Sequence, residues 1–156
     1  MKKIFALLTL ILVVLTGCKS QMTSAETARP IDGKVKYEYK AYTRGAKIEI
    51  VLDDRLLTGG KRSLGQQEFK ITPSYVTQTE WENLLIETGK IDLEKLETLE
   101  APTKKHQFDG AMGANLTITV DGKAYSTVTF DHGNPPEEIK PLVENIIELS
   151  KLEETK

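Results

Sequence analysis

Two alternating runs in the first third of the chain fit one another in a single way. Val35, Tyr37, Tyr39 and Ala41 alternate with Lys34, Lys36, Glu38 and Lys40, and after Arg44-Gly45 the alternation resumes as Ile48, Ile50 and Leu52. A period of two marks a strand with one buried face. With Arg44-Gly45 as a two-residue turn, Ala41 faces Ile48, Tyr39 faces Ile50 and Tyr37 faces Leu52. The same register sets Lys40 against Glu49 and Lys36 against Asp53, so apolar meets apolar and plus meets minus. One register satisfies both faces, and it predicts an antiparallel hairpin.

A second hairpin is expected at Asp121-Gly122, where Leu116, Ile118 and Val120 lead in and Ala124 to Phe130 lead out. A strict two-residue turn would leave Val128 and Phe130 on the wrong face. A three-residue loop, Asp121-Gly122-Lys123 with a bulge at Gly122, pairs Val120 with Ala124, Leu116 with Val128 and Ala114 with Phe130, and burial favours that register. Between the hairpins, residues 53–67 are polar and rich in turn formers and read as loop, with Glu68 to Ile71 as a short strand. The fragment Thr58-Gly59-Gly60-Lys61-Arg62-Ser63 glances at a phosphate-binding loop. It fails the pattern, because Arg62 stands where Ser or Thr must reach a magnesium ion and Arg55 stands where the first Gly belongs.

Helices are marked by their ends. Thr77 and Glu80 form a capping box, Val76 can staple to Trp81, Leu84 and Leu85 continue the apolar stripe, and Gly89 is placed to end the helix. Ile91 to Leu99 reads as a short helical turn with Leu93, Leu96 and Leu99 inward, stopped by Pro102. Ile139, Leu142, Val143, Ile146 and Leu149 mark one face of a last helix. Pro135 and Pro136 suit its start, and Pro141 demands a kink or a second start. The sum is one α+β domain over residues 34–156, antiparallel hairpins forming a sheet packed against two main helices.

Composition closes off several classes. Of 156 residues 39% are hydrophobic, enough for one packed core, and a lone cysteine excludes a disulfide-stapled miniprotein. A formal net charge of −2 argues against a nucleic-acid partner, which needs a basic surface.

The start of the chain reads as a processing signal. Lys2 and Lys3 precede Ile4 to Leu15, an apolar or hydroxyl run of 12 residues. As a helix it would reach roughly 18 Å, well short of a hydrocarbon core of about 30 Å, and it has the length of a signal-peptide core. Leu15-Thr16-Gly17-Cys18 follows, and it resembles the bacterial lipobox, with Leu at −3, Gly at −1 and the only cysteine of the chain. The resemblance implies a signal peptide over 1–17, diacylglycerol on the Cys18 thiol, cleavage before Cys18 and a further acyl chain, palmitate being typical, on the new amino terminus. Two or more chains hold a protein on a bilayer stably. Lys19 in place of Asp resembles the Gram-negative pattern for export to the outer membrane. Loss of Lys2 and Lys3 with the leader takes the formal charge from −2 to −4. Residues 18–33 have few large apolar side chains and read as the lipidated cysteine and a flexible tether spanning roughly 20 Å. Asn115-Leu116-Thr117 matches a glycosylation acceptor, which the bacterial lipobox discounts.

Chemistry could gather at one place. With Ala114 opposite Phe130, the segment holding His106, Asp109 and Gly110 and the segment holding Asp131, His132 and Asn134 leave the sheet at the same end. Two histidines and two carboxylates suit a divalent metal, and a His–Asp pair suits general acid–base work. The plainer reading is a rigid strand-to-helix connection, since Asp and Asn cap turns, Gly permits tight loops and prolines set the start of a helix. No His-x-x-x-His, Cys-x-x-Cys or Gly-x-Ser-x-Gly spacing adds to the metal or nucleophile reading.

The lipobox, the Tyr-rich first strand, Thr103-Lys104-Lys105-His106-Gln107-Phe108-Asp109-Gly110-Ala111 and Phe130-Asp131-His132-Gly133-Asn134-Pro135-Pro136 together resemble small lipoproteins of Bacteroidota. The resemblance implies a lipid-anchored envelope protein and assigns no activity or site. A tether, a compact domain and no recognisable reactive constellation set the expectation of a binding or interaction module rather than an enzyme, with no cofactor beyond the covalent lipid. Its partners would be the membrane, through the anchor, and an envelope protein or glycan. The alternative is a metal-binding or hydrolytic protein using His106, Asp109, Asp131 and His132.

Overall fold

The computed structural model describes residues 29–152; the expected leader 1–17, Cys18 and the tether through residue 28 lie outside the described residues. The strands are β1 (Val35–Thr43), β2 (Ala46–Asp53), β3 (Leu56–Ser63), β4 (Phe69–Lys70), β5 (Ser74–Tyr75), β6 (Gly113–Val120), β7 (Lys123–Ser126) and β8 (Phe130–Asp131). The helices are α1 (Gln78–Gly89) and α2 (Lys140–Ser150), with short 3-10 helices at Leu93–Thr98 and Lys105–Phe108. All strands join one antiparallel sheet in the order β4-β3-β2-β1-β6-β7, with β5 beside β3 and β8 beside β6. This is a single α+β domain.

The first hairpin has the expected register, with Ala41 opposite Ile48, Tyr39 opposite Ile50, Tyr37 opposite Leu52 and Lys40 opposite Glu49. On its other side β1 pairs with β6, setting Tyr39 against Leu116 and Tyr37 against Ile118. Tyr37, Tyr39, Ile50, Leu52, Leu116 and Ile118 thus line one face and pack with Trp81, Leu84, Leu96, Leu142, Val143 and Ile146. Each such aliphatic side chain contributes about 1.5–3 kcal/mol by leaving water.

The stretch 53–67, expected as loop, holds the whole of β3. Asp54 and Arg55 both take left-handed φ, +44° and +69°, so they form the tight two-residue turn that a hairpin favours. Leu57 then lies opposite Leu52. Gly59 and Gly60 belong to the strand because its neighbours crowd it: a Cβ on Gly59 would sit 2.1 Å from the Glu49 carbonyl, and one on Gly60 2.5 Å from that of Phe69. Glycine here marks close backbone approach rather than a loop.

The second hairpin corrects the expected register near its turn and at Leu116, which meets Thr127 rather than Val128, and keeps it only at Ala114. Val120 pairs with Lys123 and Thr119 with Ala124, so Asp121-Gly122 is a two-residue turn, both residues having positive φ. Beyond Ser126 the pairing shifts by one, and Ala114 does face Phe130. The extra residue that burial demanded sits at residues 127–129. There the Thr127 N–H donates to the Leu116 carbonyl, and the Thr127 hydroxyl accepts from the Leu116 N–H. A buried threonine can replace ladder bonds in this way, which lets the bulge sit inside the sheet.

The capping box of α1 forms as expected: the Thr77 hydroxyl accepts from the Glu80 N–H, and the Glu80 carboxylate accepts from the Thr77 N–H. Val76 and Trp81 are both buried. The helix ends at Gly89, but with a different cause, since the cap residue Lys90 is right-handed. A Cβ on Gly89 would lie 2.0 Å from the Arg29 carbonyl, so glycine makes room for the incoming chain. Two residues on, the Ile31 N–H donates to the Leu85 carbonyl and Ile31 packs against the core. Packing against the core thus includes Ile31, within the stretch read as tether. Pro141 occupies the first turn of α2, where a missing N–H costs nothing, and residues 137–139 form a separate turn.

Candidate functional site

The shifted pairing at Phe130 brings Asp131 beside Gly113 and turns its carboxylate inward, where it is 2% exposed. Four donors surround it. Oδ1 accepts from the His106 N–H at 2.7 Å and from His106 Nδ1 at 2.6 Å. Oδ2 accepts from the Lys105 N–H at 2.9 Å and from the Thr103 hydroxyl. Asn134 completes the knot by donating its side-chain N–H to Thr103 Oγ1 at 2.9 Å. An ionised carboxylate offers about four lone-pair sites, and all are used.

Burial alone would push this carboxyl upward. The Thr103 hydroxyl, the His106 and Lys105 N–H groups and the His106 ring outweigh it and hold Asp131 well below the ordinary carboxylate range. Because an ionised Asp131 only accepts, His106 carries a proton on Nδ1. Its ring is then oriented by a carboxylate, as the base of a hydrolytic triad is. No hydroxyl or thiol among the described residues completes a triad at its other ring nitrogen.

His132 points elsewhere. Its Nδ1 meets the Tyr39 hydroxyl at 2.6 Å, its N–H donates to the Met112 carbonyl, and its ring lies 5.9 Å from that of Tyr39. Tyr39 also packs on Phe130, at 6.4 Å between rings. Asp109 caps the Lys105–Phe108 helix in a left-handed conformation (φ +56°) and is exposed.

Of the five residues expected to gather, His106, Asp131 and Asn134 share one network, His132 abuts it through the chain, and Asp109 stands outside. The four-residue metal shell weighed as the alternative does not assemble: among the described residues no group of three or more His, Cys, Asp or Glu is arranged to hold an ion. Sequence reading missed Thr103 and Tyr39. Thr103 lies in an irregular segment with no period to place it, whereas the phenolic tip of a core tyrosine always needs a polar partner, a signal that could have flagged Tyr39.

Several concavities lie away from this knot, among them one of about 280 Å³ past Lys47, Glu49, Arg62, Glu68 and Lys70 and two larger ones. One, about 370 Å³, runs between β5, α1 and α2 past Tyr75, Glu80, Asn83 and Leu149. The other, about 450 Å³, lies at the β1–β2 turn, past Tyr42, Arg44, Lys47, Arg62 and Leu64. No protein-family model matches the chain, and no curated protein shows significant similarity to it.

Proposed function

We propose that the chain is a lipid-anchored envelope protein whose α+β domain acts as an interaction module rather than as a catalyst. The observation that carries this reading is Leu15-Thr16-Gly17-Cys18, placed directly after a 12-residue apolar run and containing the only cysteine. The role of Asp131 supports the second half. A carboxylate saturated by four internal donors fastens the 103–106 segment to the sheet end and has no lone pair left for substrate or metal. Expression of the full chain and of its Cys18→Ser variant in a Gram-negative host tests the anchor. The natural sequence is expected in the membrane fraction in a processed form, and the variant is expected to keep its leader and incorporate no labelled palmitate. Equal palmitate incorporation in both, or none in either, would overturn the reading.

A further inference from the structure

The sheet covers its helices with one face and leaves the other open, and charge is spread unevenly over that open face. Its outermost row, at the β1–β2 turn, is Tyr42, Lys47 and Arg62, paired side by side. One row in, Lys40 and Lys70 flank Glu49. Further in, Glu38 lies beside Val51 and Lys36 is matched by Asp53. Positive charge therefore accumulates toward one end, on a chain whose net charge is negative.

That end is built from two turns fastened together. The Leu64 N–H donates to the Gly45 carbonyl at 2.6 Å, tying the loop after β3 to the Arg44-Gly45 turn. The concavity between them is lined by Arg44, Lys47 and Arg62 with no carboxylate, and an adjoining one sets Glu49 and Glu68 against Lys47, Arg62 and Lys70, so the cations still outnumber the acids. Lys47 is shared with Glu49 at 2.7 Å, whereas Arg44 and Arg62 pair with no acid among the described residues. Leu64 and Tyr42 stand beside these cations, 86% and 57% exposed. Guanidinium groups flanked by an exposed aromatic and an exposed aliphatic side chain match a bilayer surface, where phosphates meet the edge of the hydrocarbon.

We propose that this end of the sheet docks on the headgroups of an anionic phospholipid bilayer, with Arg44 and Arg62 on phosphates and Tyr42 and Leu64 at the hydrocarbon margin. The proposal rests on the anchored reading above, because an anchor supplies the high local concentration that so small a patch needs. The covalent geometry permits it. Eleven peptide steps separate Cys18 from Arg29 and reach at most ~40 Å, whereas the nine-residue β1 is roughly 30 Å long. Anchor and tip can thus meet the same surface.

The test uses the full chain on vesicles of phosphatidylcholine alone and of phosphatidylcholine mixed with phosphatidylglycerol, read by amide hydrogen exchange. Flotation separates the vesicle-held chain before exchange is read, so tip contact is measured on that fraction. An intact mass on the same sample reports the anchor separately. Exchange at residues 42–47 and 62–66 is expected to slow about tenfold on the anionic vesicles only. The protection is expected to vanish in Arg44→Glu/Arg62→Glu and in high salt, while β6 keeps its own protection. Equal exchange on both vesicles, protection that survives the charge reversal, or the same protection from inorganic phosphate without vesicles would each overturn the proposal.

Discussion

Tyr37 and Tyr39 are two residues apart on one strand, face the same core and are both fully buried, yet their hydroxyls end in opposite kinds of chemistry. Tyr37 meets Thr88 at 2.7 Å, and because the Thr88 hydroxyl already donates to the Leu84 carbonyl, Tyr37 must be the donor. The result is a neutral relay that ties the sheet to α1, reinforced by the edge of Trp81 at 5.7 Å. Tyr39 meets His132, the neighbour of an ionised Asp131 that clasps a loop. A neutral relay can join two regular elements whose spacing packing already fixes. A carboxylate with four acceptor sites is suited to gathering an irregular segment, because it satisfies several backbone N–H groups that no ladder serves.

The largest effect is expected at the ionic end. Asp131→Ala should cost about 4 kcal/mol, since it leaves four donors of a part-buried network without their acceptor, as urea unfolding at neutral pH would show. The sign of the pH dependence follows from the lowered carboxyl. Its stabilisation is complete above the ordinary aspartate value of 3.8 and is lost as pH falls below it. The natural chain should therefore weaken in acid more steeply than the variant, and parallel curves would erase the contrast between the two ends.

A smaller effect is expected where the chain joins the domain beside the neutral relay. Gly89→Ala should cost about 1–2 kcal/mol, because its methyl would collide with the Arg29 carbonyl. Faster hydrogen exchange at the Ile31 amide, with Leu116 unchanged, would localise the damage.

The smallest belongs to the relay itself. Tyr37→Phe should cost about 1 kcal/mol, read by thermal unfolding. Burial, opposed by the Thr88 hydrogen bond, raises the Tyr37 phenol from 10.0 to about 12. Its contribution is complete below pH 10 and lost as pH rises toward 12, so Tyr37→Phe should flatten the alkaline limb and leave the acid limb intact. The two substitutions thus act on opposite limbs of one stability profile.

The same division separates what sequence reveals from what it hides. The register of β1 and β2 was legible because both faces constrain it at once: a slip would bury Lys40 and expose Tyr39. β3 was hidden because its glycines resemble loop, and only the positions of Glu49 and Phe69 show why a side chain is excluded. In the second hairpin, burial correctly demanded one extra residue, but the place of that residue depended on Thr127 bonding to Leu116, which no period signals. The meeting of His106 and Asp131 was legible because Ala114 opposite Phe130 sends both segments off one end. The split between them was not, since it depends on which way His132 turns, toward Tyr39 rather than toward Asp131.

Whatever this domain does depends first on where it is held. Intact-mass measurement of the protein extracted from native membranes tests it most directly. A polypeptide beginning at Cys18 and carrying the added mass of diacylglycerol and an acyl chain is the predicted result. A chain that still begins at Met1 with a free Cys18 thiol would contradict it.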